Sequence, residues 1–229
     1  MFRSLILLFA LLYCEIRPAL SDIDSPGLCE NVNDRVDESL EYANSWMRTS
    51  RQDSQTIAGF QLKVPILDRE LEIGVETRDG KVQNLDSLHR YGNACEESRY
   101  EDKILRGGLQ YDNLVVTFDD VDVEFFFWKY KASLSYTVQL GLNFTIDKSP
   151  DECSLTSFEI TTKDRPDFQF SMPGWTGWLL ARMLRSSLMK HDLTPILGRV
   201  KTESYKSVSS YFVYYWCWNW RYSTITTVR

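Results

Sequence analysis

The sequence predicts an α+β fold in which helical regions flank a sheet of long strands. Apolar residues recur at helical spacing near the start of the chain and again after residue 173. Between these regions, residues 130–146 alternate between apolar and polar with almost no exception. The composition, 43% apolar and 25% charged, is typical of a globular protein and excludes disordered and coiled-coil classes.

Ahead of these elements, residues 1–21 have the pattern of a secretory signal peptide. Met1-Phe2-Arg3 is a short positive start, and the apolar run from Leu5 to Cys14 has about half the length that a membrane-spanning helix needs. Ala19 and Ser21 are small residues placed for cleavage after Ser21. We therefore expect a secreted, extracellular protein with no transmembrane segment.

The first helix and the shorter strands follow from the same kind of spacing. Val36 and Leu40 lie on one stripe of a helix whose other face is acidic. Residues 60–66 and 71–75 alternate as strands do, and Asp79-Gly80 is a tight-turn pair that can close a hairpin. These elements place an amphipathic helix before the sheet.

The strand predicted over residues 130–146 is unusually long. Its 17 residues span about 55 Å, whereas a typical strand has about five or six residues. A strand of this length twists, so we expect the sheet to wrap around something, with the helical regions as candidates. Asn143 lies on the polar face within Asn143-Phe144-Thr145, which makes it the predicted glycosylation site.

The last part of the chain combines a second helical region with an aromatic run. Trp178 and Leu184 share its apolar stripe, and Thr194-Pro195 has the composition of a helix start. The aromatic run begins at residue 211 and has three interpretations: a packed C-terminal strand, an interfacial membrane anchor, or a product of altered splicing. The predicted domain therefore covers residues 22–210, with 211–229 as a tail of uncertain structure.

Cysteine usage favours disulfides over metal binding. Of the five cysteines, Cys14 would leave with the signal peptide, and Cys29, Cys95, Cys153 and Cys217 would remain. No pair has C-x-x-C spacing, and four cysteines allow three pairings that the sequence does not distinguish. We favour a bond between Cys95 and Cys153, because both lie at the edges of predicted strands.

Histidine content and motif spacing argue against catalysis. The two histidines, His89 and His191, are 102 residues apart, and no G-x-S-x-G string occurs. The acidic residues between 119 and 124 lack the spacing of a calcium-binding loop and are interpreted as the solvated face of a strand. The sequence thus predicts no catalytic residue, no metal site and no cofactor.

The charge distribution limits the possible partners. The net charge of −6 and the pI of about 5.1 exclude a general nucleic-acid binder, which needs a basic face. One interpretation of the basic residues in the late helical region is a patch for anionic lipid or a microbial surface, and the other is a solvated helix face. These residues are Arg182, Arg185, Lys190, Arg199, Lys201 and Lys206.

Several short strings resemble the group 7 mite allergens. These belong to a wider tubular lipid-binding superfamily with bactericidal/permeability-increasing protein and the juvenile-hormone-binding, takeout-like proteins. The resemblance covers residues 28–205. It includes the opening helix at 36–40, the long strand followed by 155–159, the final amphipathic helix, and the Val82 to Ala94 stretch with Leu85, Leu88, Arg90 and Gly92. It implies a long amphipathic helix wrapped by a highly curved antiparallel sheet, enclosing an elongated apolar cavity.

The expected function is non-enzymatic binding of a lipid or another elongated hydrophobic molecule in a single lipid-binding-type domain. The apolar stripes of the strands and helices supply the predicted lining residues: Phe125, Phe127, Tyr136, Val138, Leu140, Leu142, Phe144, Leu40, Leu179 and Leu184. The alternative is a secreted interaction or immune-recognition protein with a filled core, which binds a host or microbial surface. A lipocalin barrel fits less well, since it would begin with strands.

Overall fold

The computed structural model describes residues 29–66, 71–99, 102–190 and 193–217. Within these ranges the chain forms a ten-stranded antiparallel sheet accompanied by helices. The predicted signal peptide, His191 and residues 218–229 lie outside the described residues.

The helices lie before and after the sheet in the chain, as the apolar spacing predicts. They are α1 (Asn33–Thr49), α2 (Gly174–Leu188) and α3 (Thr194–Ser207), with a 3₁₀ turn at Leu85–Ser87 and a π-helical turn at Val208–Val213 that continues α3. The strands are β1 (Glu30–Asn31), β2 (Ser54–Ile57), β3 (Gln61–Ile66), β4 (Leu71–Thr77), β5 (Gly80–Gln83), β6 (Leu88–Arg99), β7 (Asp102–Phe125), β8 (Trp128–Lys148), β9 (Cys153–Thr162) and β10 (Asp167–Ser171).

The hairpin formed by β7 and β8 is the centre of the sheet. Its strands have 24 and 21 residues and pair from Lys103 opposite Lys148 to Phe125 opposite Trp128. Strands β6, β5 and β4 pair in succession with the other edge of β7, and β9 and β10 pair with the other edge of β8. The long strand predicted over residues 130–146 is confirmed and lies wholly within β8.

Two β-bulges keep the apolar side of β7 on the buried face. They lie between Tyr111 and Leu114 and between Phe118 and Val121, where β7 has one residue more than β8. Because side chains alternate with a period of two, each extra residue reverses the alternation in β7. Tyr111, Leu114, Phe118 and Val121 are consequently all buried, although their sequence spacing is irregular.

The structure of the β7–β8 turn contradicts the predicted burial of Phe127. Phe126 and Phe127 form the turn itself, and the side chain of Phe127 is 85% exposed. The prediction that Phe127 lies on the buried face with Phe125 is therefore wrong. The physical reason is that side chains alternate between the two faces of the sheet only within a strand. At the turn the chain reverses, so the position of Phe125 no longer predicts that of Phe127.

Helices cover one face of the sheet in succession. Helix α1 packs on β6, α2 contacts both β10 and β3, and α3 contacts β2. The 17 residues of α1 span about 26 Å, whereas the 21 residues of β8 span about 70 Å. Helix α1 thus covers only part of the sheet, and α2, α3 and the π-helical turn cover the rest of a single apolar core.

The aromatic run near the end of the chain is helical in its described part, residues 211–217. Tyr215 stacks on Tyr42 of α1 with ring centroids 3.9 Å apart, and the Tyr211 ring lies 4.9 Å from that of Trp46. The interpretation as a packed strand is wrong for these residues. They belong to the folded domain, since their rings pack against α1.

The structure corrects the predicted disulfide. Cys29 is bonded to Cys95, and Cys153 is bonded to Cys217, with Cα–Cα distances of 5.5 and 5.9 Å. The predicted Cys95–Cys153 bond is wrong, because β7 and β8 separate β6 from β9. Three inter-strand spacings amount to about 14 Å, about twice the Cα separation that a disulfide can bridge.

We expect the Cys153–Cys217 bond to contribute strongly to stability. It joins residues 64 positions apart, and the loop-closure entropy of such a bond corresponds to about 4 kcal/mol. Urea denaturation of Cys153→Ser/Cys217→Ser should show a free energy of unfolding lowered by about 2–5 kcal/mol.

Peptide mapping without reduction checks the pairing directly. Digestion of the wild-type protein should release a Cys29–Cys95 and a Cys153–Cys217 linked peptide. A Cys95–Cys153 peptide from folded protein would contradict the structure.

Two glycines offer a matched pair of alanine substitutions with opposite expected signs. A Cβ on Gly108 would lie 2.6 Å from the Tyr91 carbonyl oxygen, while one on Gly198 in α3 would meet nothing within 4 Å. We expect Gly108→Ala to lower the free energy of unfolding by about 1–3 kcal/mol. Gly198→Ala should raise it by up to about 1 kcal/mol, because alanine favours helix. Equal effects in urea denaturation would contradict the close approach of β6 to β7.

Candidate functional site

Most of the predicted lining residues lie together in the apolar core. Buried residues of this set come from β8, α1 and α2: Tyr136, Val138, Leu140, Leu142, Phe144, Leu40 and Leu184. Phe125 is half-buried and packs against them, while Phe127 is at the turn. The structure therefore brings these residues to one interior, and their contact with a ligand stays a prediction.

Leu179 does not belong to this interior. Its side chain is 45% exposed, whereas Leu180, Leu184 and Leu188 form the buried stripe of α2. Neighbouring helix positions differ by about 100° around the axis, so a stripe shifted by one residue turns Leu179 outward. Its predicted place in the lining is wrong.

The final helical segment contacts this interior directly. The Phe212 ring meets the edge of the Phe144 ring at 5.4 Å, and Phe168 of β10 lies 5.0 Å from the Tyr136 ring. Residues 194–217 therefore form a cover over the apolar face of the sheet, which we call the C-terminal cover.

The C-terminal cover is hydrogen-bonded to chain segments near two different edges of the sheet. A guanidinium nitrogen of Arg199 donates a hydrogen bond to the Ala58 carbonyl oxygen at 2.6 Å, just after β2. Lys201 Nζ donates to the Ile160 carbonyl oxygen of β9 at 3.2 Å. With the Cys153–Cys217 disulfide, these contacts hold the cover at three points.

The same contacts separate the basic residues of the late helices. Arg199 contacts the backbone after β2 and Lys201 contacts the backbone of β9, which are different parts of the sheet. Lys206 is paired with Glu203. Arg185 of α2 is paired with Asp167 at 2.6 Å. These cations are thus divided among separate partners, and the structure does not support a single basic patch for an anionic surface.

Buried hydroxyl groups lie on the C-terminal cover and on the sheet strands that it packs against. The hydroxyl oxygens of Tyr136 and Ser204 are inaccessible to solvent and unpaired among the described residues, whereas the equally inaccessible hydroxyl of Tyr111 has the Ser207 hydroxyl within reach. Ser207 Oγ, which donates to Met47 Sδ at 3.2 Å, lies close to the Tyr111 hydroxyl. An unpaired buried hydroxyl destabilises a protein by about 1–3 kcal/mol, so this arrangement needs an explanation.

A small surface cleft lies near one of the buried residues, Ser207. It lies beside the C-terminal cover and has a volume of about 160 Å³. Gln55 and Lys206 form part of its polar rim, and the buried residues Leu85 and Ser207 contribute to its lining. Ser207 connects this lining with the Tyr111 hydroxyl, whereas Tyr111, Tyr136 and Ser204 do not themselves line the cleft.

Burial keeps the interior phenols protonated. It raises the pKa of Tyr111 and of Tyr136 well above the ordinary tyrosine value. The nearby Ser207 hydroxyl opposes the shift at Tyr111, and the charge of Arg199 opposes it at Tyr136, but burial dominates both. Each phenol is therefore a neutral hydrogen-bond donor at physiological pH.

The other residues singled out by the sequence lie on the outer face. His89 contacts the Ser87 carbonyl oxygen and the Asp112 carboxylate, neither of which is a nucleophile. Lys131 pairs with Asp120 and Asp122 at 2.9 Å each, which confirms the acidic run as a solvated face. Asn143 is exposed, and its glycosylation stays a prediction.

The described residues place two limits on the site. Within residues 29–66, 71–99, 102–190 and 193–217, no group of His, Cys, Asp and Glu side chains is arranged to hold a metal ion. In the same part of the chain, no helix combines the length and the apolar composition needed to cross a membrane.

Sequence reasoning predicted Tyr136 as a lining residue but missed Tyr111 and Ser204, for different reasons. Tyr111 lies beside a bulge of β7, where the regular alternation of apolar and polar residues is interrupted. Ser204 follows Ile196 and Val200 at helical spacing, and a polar residue at that position of an apolar stripe was a signal that could have found it.

Comparison with known proteins gives similarity to solved structures only at the level of the fold. No protein-family model and no curated protein matches the chain. Among solved structures, the chain is similar to the crystal structure of Takeout 1 from Epiphyas postvittana, with 9% sequence identity and a TM-score of 0.46. The alignment covers 77% of this chain and 88% of that one.

The raised phenol pKa values predict a loss of stability at alkaline pH. A tyrosine whose pKa is raised in the folded state stabilises the fold below its unfolded pKa of about 10, and this contribution is lost as the pH rises further. Above pH 10, each buried phenol should lower the free energy of unfolding by about 1.4 kcal/mol per pH unit. Tyr111→Phe should remove one such contribution, and Tyr111→Phe/Tyr136→Phe should remove two.

Urea denaturation between about pH 10 and 12 measures this dependence. Absorbance titration of the tyrosines should also show that Tyr111→Phe has one fewer group ionising at high pH than wild type. An unchanged slope in the double variant would contradict the burial of these phenols.

Proposed function

We propose that this protein is a secreted, non-enzymatic binding protein for a lipid or another elongated hydrophobic molecule that carries a polar group. The observation that carries the proposal is that the buried hydroxyls of Tyr136 and Ser204 have no hydrogen-bond partner among the described residues, within a largely apolar interior. A ligand with a polar end would supply the missing partner, and its hydrocarbon part would replace apolar contacts. The signal peptide at residues 1–21 and glycosylation at Asn143 are part of this proposal.

In the proposed mechanism, the C-terminal cover moves away from the sheet to admit the ligand. Two side-chain hydrogen bonds, from Arg199 and Lys201, would break, while the Cys153–Cys217 disulfide would keep the end of the cover attached. The elongated cavity would form between the cover and β8, with Leu140, Leu142 and Phe144 in its wall.

The driving force would be burial of apolar ligand surface, which contributes about 25 cal/mol per Å². Hydrocarbon contacts have little directionality, so selectivity for chain shape would be loose. The hydroxyls of Tyr111 and Ser204 would orient the polar end, because each can both donate and accept a hydrogen bond.

A second candidate is an interaction protein with a permanently filled core. It is supported by the close ring contacts of Phe144 with Phe212 and of Tyr136 with Phe168. In that case the interior stabilises the fold, and binding takes place on the outer surface.

Mass spectrometry of an organic extract separates the two candidates. The protein should be purified from a eukaryotic secretion host and compared with a mock purification. A stoichiometric amphiphile is the expected result. An empty extract, together with no uptake of a fluorescent fatty acid, would favour the filled core.

The role of the hydroxyls is tested with Tyr111→Phe and Ser204→Ala. We expect each to weaken binding of a long-chain alcohol by about 2- to 12-fold, the value of one hydrogen bond. Binding of the alkane of equal length should not change, because it makes no hydrogen bond. The ligand-free Ser204→Ala variant should be at least as stable as wild type, since an unpaired polar group has been removed.

Tyr205→Phe is the matched control, because Tyr205 lies on α3 with its side chain largely exposed. It should leave the affinities for both ligands unchanged. Equal losses of alcohol and alkane binding in Tyr111→Phe would contradict a role in binding the polar end.

A further inference from the structure

One end of the sheet exposes an unusual number of large aromatic side chains. At the β7–β8 turn, Phe126 and Phe127 are 66% and 85% exposed, and Trp128 beside them is also exposed. On the first turns of α2, Trp175 and Trp178 are 79% and 61% exposed. We call these five residues the aromatic end.

The strand register places both groups at the same end of the molecule. Strand β10 finishes with Ser171 opposite Ser133, about 17 Å along β8 from Trp128, and α2 begins at Gly174. Helix α2 also contacts β3, whose partner β4 lies beside β7 as far as Glu124, next to the turn. The first turns of α2 and the hairpin turn therefore share one end.

The exposed rings at the turn form a continuous surface. The centroids of Phe125 and Phe126 are 4.5 Å apart, those of Phe126 and Phe127 6.3 Å, and those of Phe127 and Trp128 6.1 Å. These rings belong to consecutive residues, and the side chains of Phe126, Phe127 and Trp128 remain more than half exposed. Contiguous exposed aromatic surface is uncommon in proteins that do not use it for binding.

The charges around the aromatic end are balanced. Lys129 pairs with Glu124, and Lys131 pairs with Asp120 and Asp122. The Arg182 guanidinium lies 5.7 Å above the Trp178 ring. With a net charge of −6, the protein is not attracted to an anionic surface as a whole.

We propose that the aromatic end docks onto the interface of a zwitterionic phospholipid membrane. Tryptophan suits the headgroup level, because its ring is amphipathic, and phenylalanine suits the acyl boundary beneath. The protruding turn inserts Phe126 and Phe127, Trp175 and Trp178 lie at the headgroups, and Arg182 faces the phosphates. Balanced ion pairs fit a surface without net charge better than they fit an anionic one.

Sedimentation with phosphatidylcholine vesicles tests the proposal on the full secreted protein. We expect binding that changes little with salt concentration, accompanied by a blue shift of tryptophan emission. Phe127→Ser should weaken vesicle binding by about tenfold, and Phe127→Ser/Trp175→Ser by about a hundredfold, because each removes one ring from the interface.

Tyr205→Ser is the control, since it removes an exposed aromatic ring outside the aromatic end. The Phe127 and Trp175 variants should melt as wild type does, because these side chains are largely exposed. Tyr205→Ser should melt slightly lower, because the Tyr205 ring packs against Phe158. Absence of vesicle binding, equal binding by the double variant, or binding to anionic vesicles alone would overturn the proposal. Self-association that the double variant abolishes, without vesicle binding, would assign the surface to a second copy of the chain instead.

This surface lies outside the interior that the proposed function uses. Ligand uptake in the absence of vesicles measures the interior, and vesicle binding by extracted protein measures the aromatic end. Failure of either proposal is therefore seen independently of the other.

Discussion

The length of the β7–β8 hairpin is the constraint on which the rest of the structure depends. Its two strands pair with each other along almost their whole length. The outer edge of β7 or of β8 then pairs with each of the neighbouring strands β4, β5, β6, β9 and β10. A pair of strands this long twists, and its apolar face extends well beyond the reach of a single short helix. Successive helices at both ends of the chain are the consequence, because they can cover that face in sections.

The C-terminal cover combines firm packing with a local cost in stability. Phe212 and Trp216 are buried in the core, yet the buried hydroxyl of Ser204 on the same cover has no partner among the described residues. A group that is unsatisfied in one state favours any state in which it gains a hydrogen bond. The proposed binding function uses this difference, since a ligand with a polar end stabilises the displaced position of the cover. The disulfide limits how far the cover can move.

The two ends of the sheet differ in the interactions that stabilise them. Both disulfides lie away from the turn, and Cys95 adjoins Glu96, whose buried carboxylate Lys103 approaches to 2.9 Å and Arg35 to 3.5 Å. The Arg35 guanidinium also lies 4.9 Å above the Trp216 ring, so α1, β6, β7 and the final helix meet there. The opposite end has exposed rings instead of covalent links. Stability is thus concentrated at one end, and exposed apolar surface at the other.

The sequence by itself determined the helix at the start, the long strand, the solvated acidic face and the amphipathic helices that follow, because these depend on local periodicity. Residues such as Leu140 and Leu142 could be placed in the interior for the same reason. Only the tertiary structure decided the disulfide pairing, since it depends on which strands lie between β6 and β9. It also decided the position of Phe127, the bulges that bring Tyr111 to the buried face, and the packing of Tyr215 on α1. Each of these depends on contacts between residues far apart in the chain, which periodicity does not record.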